Sequence, residues 1–512
     1  LERTTAQDGA EQSHADGSLL LTDKRVTRRE MLRQAGAAGA LALTSPALAM
    51  AQTASQQTTP TVPNEQQTLP QATKSVSKTA PSAQMPHTEA ETATKYPHPP
   101  GVFINRPLTQ VSTAADALLE DMVERGCMFF WEQADPKTGL VRDRAALQGR
   151  VLSRVASIAA TGFGLSALCI AAQRKYLRQA DVEQRVERTL AFLLEQCPHI
   201  HGFFFHFLDM QSGERMFDSE LSSIDTSLLM SGVLLCRTYF NNPRIEALAT
   251  TLYRRIDWDW MLNGGKTLSM GWLPNNGFLV HRWDIYAELM NMYLMAIGSP
   301  THAIAAETWD ELQRPQIDFG GINYISGIAP LFIHQYAQAW CDYRDQRDRH
   351  ANYFTNSIAA TRAHQLWCLT LGAKFNWINQ DLWGITASDS RTGYRVWGGP
   401  PEMGNVDGTL VPCATAGSLV FLPAECSHVL LSMRERFGDK VWTRYGFVDA
   451  FHPKANWFSP DTLGIDQGIS VLMAENLRSG FVWQYFMKNR EIKHAMELVN
   501  FHADPDANSQ VL

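Results

Sequence analysis

The chain has 512 residues, a formal net charge of −7 and 45% hydrophobic residues. That length suits one large toroid or roughly two to three ordinary domains. The composition is that of a globular protein, and the mild acidity gives no reason to expect nucleic acid as a partner. The 8 cysteines are irregularly spaced and form no zinc-type pairing. Most, such as Cys169, Cys236 and Cys368, lie in apolar helical stretches where a buried thiol is expected.

The segment TRREMLR (27–33) precedes an Ala/Gly-rich, mildly apolar run ending in small-residue sites at Ala47-Leu48-Ala49 and Ala49-Met50-Ala51. Paired arginines, a soft apolar region and that ending resemble a twin-arginine export signal over residues 1–51. The run is too short and alanine-rich for a membrane span, so the mature chain is expected in the periplasm without stable membrane insertion. The twin-arginine export machinery is then one expected partner. Residues 52–110 are mostly Gln, Thr, Pro, Ser and Ala, a composition that cannot bury enough surface to offset chain entropy. They are expected to be a disordered spacer before a folded domain at 111–505.

Within that domain two kinds of helical segment alternate. Residues 113–133, 181–196 and 243–262 carry apolar residues at i, i+3, i+4 spacing with charges opposite, as helices with one wet face do. Residues 155–172, 224–240, 283–298 and 328–340 are apolar nearly all round, as inner helices are. Less regular helices are expected over 353–375, 414–438, 465–487 and 491–501, and a hairpin in HGFFFHFLDMQSGERMF with its turn near Ser212-Gly213. The fold class expected is all-α, a closed (α/α)6 toroid of six inner and six outer helices. Links from inner to outer helices are short, whereas those from outer to inner helices are long and rich in Gly, Trp and His. In a toroid all long links share one face, and long irregular loops usually carry function.

Two acidic groups fall where such loops meet inner helices. In FDSELSSIDTSLL (217–229), Ser222 and Asp225 fit a capping box, with Ser222 as N-cap and Asp225 at the third helical position. The helix dipole accounts for an Asp there. The same position also aims Asp225 at the loop-rich face, with Glu220 just outside the helix. In HRWDIYAELM (281–290), Asp284 and Glu288 are four apart and expected on one helical face. An unpaired carboxylate on an apolar helix is expensive; burial of Glu288 would suit a general acid, unless it pairs with Arg282 or Lys266. Two carboxylates ringed by aromatics is the arrangement glycoside hydrolysis uses. Trp272, Trp283, Trp397 and Trp457 offer flat faces for sugar rings, and Lys266, Asn275, His281 and Asp407 offer polar rims.

Four stretches then carry a resemblance: HGFFFHFLDMQSGERMFDSELSSIDTSLLMSG, MLNGGKTLSMGW, RWDIYAELMNMYLMAIGSPTH and GIDQGISVLMAENLRSGFVW. They are similar to the glucoamylase-like domain family, which includes bacterial β-1,2-glucanases and the transglycosylase domain of cyclic β-1,2-glucan synthases. The similarity runs in order from about Ala114 to Phe501. It implies the toroid, a poly- or oligosaccharide substrate, and chemistry with no cofactor and no metal. It also implies catalytic acids at Asp225 and Glu288, matching the family's acid-x-x-Glu-Thr and Tyr-x-Glu motifs. The first acid of the former motif is Ser222 here and its Glu is Asp225, so Glu220 is expected as the displaced acid. Lys266, Trp272, His281, Trp283, Asp284, Tyr286, Trp397, Asp407, Trp457 and Asp466 are the expected substrate contacts. A transglycosylase, a lyase using Tyr286, His281 and Lys266, and a glycan-binding protein without turnover remain alternatives.

Overall fold

The computed structural model describes residues 111–147 and 153–505, so the export signal and the spacer lie outside the described residues. Helices α1 (Thr113–Glu132), α2 (Ile158–Arg174), α3 (Gln179–Glu195) and α4 (Ser223–Tyr239) come first. Ser112, Ser157 and Ser222 open α1, α2 and α4 by accepting a backbone N–H three residues on, the usual device for an orphan donor. The stretch expected as one helix over 243–262 is two, α5 (Pro243–Arg254) and α6 (Trp258–Leu262): Arg255 closes the first, and Asp257 caps the second by accepting the Trp260 N–H. The next helix, α7 (Met290–Ile297), is much shorter than expected.

The segment before α7 is a correction to the sequence reading. Arg282–Trp283 pairs antiparallel with Leu268–Ser269. Beyond it the Tyr286 N–H donates to the Gln313 carbonyl and the Gln313 N–H donates to the Asp284 carbonyl, each at 2.8 Å. Neighbouring chain captures these backbone groups before a helix can use them. Asp284 and Glu288 therefore do not share a helical face.

Further on lie α8 (Tyr336–Trp340), preceded by a 3₁₀ turn at Leu331–His334, then α9 (Tyr353–Leu371) and α10 (Pro412–Ala416). They are followed by α11 (Pro423–Phe437), α12 (Gly464–Ser479), α13 (Phe481–Phe486) and α14 (Arg490–Leu498). Pro423 restarts the chain after α10, and Gly480, with φ 68°, separates α12 from α13.

The apolar helices are inner helices. Every residue of α2 from Ile158 to Ala172 is buried. It packs on α4 and on α12, while α4 packs on α7, α7 on α8, and α10 on α12. Gln335, at the start of α8, donates from Nε2 to the Ala414 carbonyl in α10 at 2.9 Å. Amphipathic α1, α3 and α5 cover this layer from outside. The α2–α4 crossing is close because it is glycine on glycine: a Cβ on Gly232 would lie 2.1 Å from the Gly162 carbonyl oxygen.

The strands are short and lead into inner helices. Val155–Ser157 pairs with Phe207–Asp209 and runs into α2. Leu221–Ser222 pairs with Gly271–Leu273 and runs into α4, while Asp461–Leu463 pairs with Arg144–Ala146 and runs into α12. The expected turn is present, with the Gly213 N–H on the Asp209 carbonyl at 2.8 Å and Gly213 at φ 76°. All 8 cysteines are buried and unbridged; the sulfurs of Cys169 and Cys236, on α2 and α4, are 3.6 Å apart. No helix among the described residues is long and apolar enough to cross a membrane.

Candidate active site

The heads of α4 and α7 carry the two principal acids. Ser222 Oγ accepts the Asp225 N–H at 3.1 Å and donates its own hydrogen to Asp225 Oδ2 at 2.5 Å. Asp225 is thus both part of a helix cap and a buried carboxylate with one oxygen held by a hydroxyl. Ser223 Oγ donates to the Ser269 carbonyl at 2.8 Å and accepts Trp283 Nε1–H at 3.0 Å. The head of α4 is therefore bolted to the strands at 268–269 and 282–283. Glu288 lies in the turn just before α7, with a residual exposure of 1%.

Glu220 joins Asp225 through a residue that sequence reasoning passed over. His206 Nδ1 lies 3.4 Å from Glu220 Oε1 and 3.7 Å from Asp225 Oδ2, and all three side chains are buried. The donor atoms of this trio lie within 4.8 Å of one another, making it the group among the described residues that could hold a metal ion. Its ring stacks on Phe207, with centroids 4.0 Å apart, and Phe207 in turn meets Phe217 edge-on at 6.0 Å. Phe217 is one of few large apolar side chains left in solvent, at 60% exposure.

The expected substrate contacts divide. Trp272 is half-buried opposite Leu221, the residue after Glu220, and Trp457 is half-buried beside His452. Trp283 and Trp397 are each 2% exposed, so they act as packing anchors and offer no open ring face. Trp397 Nε1 donates to Ser388 at 3.2 Å. Lys266 extends into solvent and pairs with Glu311 at 2.8 Å, and Arg282 donates to Thr267 Oγ1 at 3.2 Å. Asp407 accepts from the N–H and the hydroxyl of Thr409, at 2.9 and 2.6 Å. His281 and Asp284 are half-buried, and the His281 carbonyl accepts the Met270 N–H. Tyr286 is buried against His334 and Asn356, and burial pushes its hydroxyl up to about 12, which disfavours the phenolate a lyase base needs.

Asp466 belongs to a second acidic group at the head of α12. Burial and the neighbouring Asp466 and Asp389 carboxyls hold Asp449 well above the usual carboxylate range. Asp449 Oδ2 accepts the Asp389 N–H at 2.7 Å, and Arg144 Nη1 donates to both Asp389 oxygens at 3.1 and 3.0 Å. Asp389 and Asp449 sit in long loops with no local pattern, so no sequence signal marks them. For His206 the one signal was a histidine inside an otherwise apolar, buried run.

A family model, "Glycoamylase: Putative glucoamylase", matches residues 280–490. Over that span the chain is similar to a glucoamylase-like domain. It is similar to an exo β-1,2-glucooligosaccharide sophorohydrolase (non-reducing end) of Parabacteroides distasonis, 26% identical over 424 residues. That match covers 75% of this chain and 58% of the relative, so the chain spans less than two thirds of that protein. An endo-β-1,2-glucanase of Chitinophaga pinensis, in complex with sophorotriose and glucose, is 28% identical with a TM-score of 0.71, covering 76% of this chain and 99% of that one. A β-1,2-glucanase of Parabacteroides distasonis is 25% identical with a TM-score of 0.70, covering 77% and 60%. The chain thus shares both helical architecture and sequence with β-1,2-glucan hydrolases.

Proposed function

We propose that this chain is a glycoside hydrolase of β-linked glucan, β-1,2 linkages foremost, built as a closed (α/α)6 double ring. The packing of α2 on α4, α4 on α7, α7 on α8, α10 on α12 and α12 on α2, with Gln335 bridging α8 to α10, supports the ring. The substrate lies across the heads of these inner helices. Glu288 is the general acid: its depth removes water from the carboxyl, favouring the protonated form that can give a proton to the leaving oxygen. Asp225, one oxygen held by Ser222, activates water or positions the group that does, and Glu220 supports it.

One observation carries the reading: buried carboxylates at the heads of adjacent helices α4 and α7, in a domain 28% identical to a β-1,2-glucanase over 99% of its length. Reducing-end release measured across glucans of defined linkage tests it. Cleavage of β-1,2-glucan is expected; binding of that glucan without cleavage would select a glycan-binding protein instead, and transfer products would select a transglycosylase.

Export to the periplasm belongs to the same proposal and rests on TRREMLR and the small-residue ending at Ala49 or Ala51. Replacing Arg28 and Arg29 by Lys is expected to trap the precursor in the cytoplasm. Normal maturation of that variant would remove the export reading.

A further inference from the structure

We propose that His206 is a positioning residue, its Nδ1–H shared between Glu220 and Asp225 so that the two buried carboxylates carry their charge as one unit. The inference deepens the hydrolase reading and rests on it for its catalytic consequence.

The geometry leaves His206 little choice. Its Nδ1 faces oxygens of both acids, at 3.4 Å for Glu220 and 3.7 Å for Asp225. An ionised carboxylate only accepts, so the nitrogen between two of them must carry the hydrogen. Two buried carboxylates this close repel unless positive charge or a donor stands between them. His206 is placed to be that group.

The ring is held against rotation. Its backbone N–H donates to the Glu220 carbonyl at 2.9 Å and its carbonyl accepts the first N–H of α2, from Ile158, at 3.3 Å. Phe207 covers one face of the imidazole. One residue thus touches the start of α2, the stretch before α4 and α4 itself.

Few other charges compete for it. The head of α2 has no ionisable side chain from Ile158 to Leu168. On the adjoining strands Arg154 pairs with Asp209, and Arg215 donates to the Ser219 carbonyl. Asp218, beyond Ser219, is exposed to solvent. Glu220 and Asp225 are the acids that face the ring.

Three variants test this in the full chain, each first shown to be folded. His206→Leu removes the donor, and is expected to lower kcat on β-1,2-glucooligosaccharides by about a hundredfold with KM little changed. The acidic limb of its pH profile should move to higher pH, since the carboxylates lose the group that favours ionisation. His206→Asn returns an N–H close to Nδ1 and is expected to regain part of kcat, whereas His206→Gln, whose amide reaches the Nε2 position, is not.

A folded His206→Leu protein with the wild-type kcat and pH limbs would overturn the proposal. So would a melting temperature that drops on chelation and recovers with a divalent cation, because an ion would then be the link. Should the wild type cleave no glucan, the hydrolase reading fails separately. The proposal is then judged by infrared titration of the carboxylates: a higher protonated fraction in His206→Leu than in wild type supports it, and identical curves end it.

Discussion

The indole N–H of Trp283 donates to the hydroxyl of Ser223 at 3.0 Å, and the two residues head the segments that bring Glu288 and Asp225 into place. The same Trp283 gives its carbonyl to the Tyr293 hydroxyl on α7 at 2.6 Å. A single residue, through its indole N–H on one side and its backbone carbonyl on the other, therefore ties the two helix heads together. Trp283→Phe keeps an aromatic ring and the carbonyl link to Tyr293 but deletes the indole N–H link to Ser223. Turnover should fall by about tenfold or more, since small misplacements of catalytic groups are costly, with a modest loss of stability. Trp283→Ala should also unfold at much lower denaturant, a loss of about 3–5 kcal/mol for a truncated buried aromatic. Unchanged kcat in a folded Trp283→Phe would show that the indole link has no catalytic part.

Asp225→Asn and Glu288→Gln separate cap from catalyst. Asn at position 225 still offers Ser222 an acceptor, so only the favourable charge at the head of α4 is lost, about 0.3–1 kcal/mol. Turnover should nevertheless drop by at least about two orders of magnitude in both variants. Glu220→Gln asks whether that acid has replaced the one missing at Ser222. Kinetics and melting temperature measured together decide it; full activity in both principal variants would remove the assignment.

Two buried histidines set an acid limit to stability. Burial depresses His334 to about 3 and His364 to about 4, from an ordinary 6.5. The unfolded chain takes up these protons near pH 6.5 while the folded chain does not, so stability is lost as pH falls from there toward 4. At one pH unit below 6.5 each contributes a loss on the order of 1 kcal/mol. Denaturant titrations at pH 7 and pH 5 should show it, and His364→Gln should lessen the difference.

Asp449 works in the opposite direction. Its carboxyl keeps a proton in the folded state where the unfolded chain has lost it, so its stabilising contribution is present at low pH and fades as pH rises above 3.8. Asp449→Asn keeps an acceptor for the Asp389 N–H and carries no charge. Its stability at pH 8 should equal or exceed that of the wild type, and a marked loss there would contradict the assignment.

Gly232→Ala tests the inner crossing. The added Cβ would meet backbone of α2, which cannot rotate away as a side chain can. A loss of at least about 1–3 kcal/mol is expected from equilibrium unfolding.

Much of this was legible because periodicity reports burial. The all-apolar run at 158–172 and the serine before it announced α2, and Ser222 with Asp225 announced the head of α4. Helix ends decided by tertiary partners were not legible. Nothing in HRWDIYAELM shows that Gln313, distant in sequence, will take the backbone of Asp284 and Tyr286. The same holds for the site. Acids at helix heads stand out, but a histidine whose meaning lies in what folds onto it does not, and a tryptophan in a long loop looks alike whether it stacks on ligand or, like Trp397, holds the loop together.

The eight buried thiols bear on the order of events in the cell. In an oxidising compartment an unfolded chain with 8 cysteines could close about a hundred different sets of bridges. The fold buries every sulfur and brings those of Cys169 and Cys236 to 3.6 Å from one another. A chain that completes its fold while still among reductants would carry its thiols outward already sealed. Alkylating reagents should then label the native protein slowly and the denatured protein at all eight positions, with no prior reduction needed.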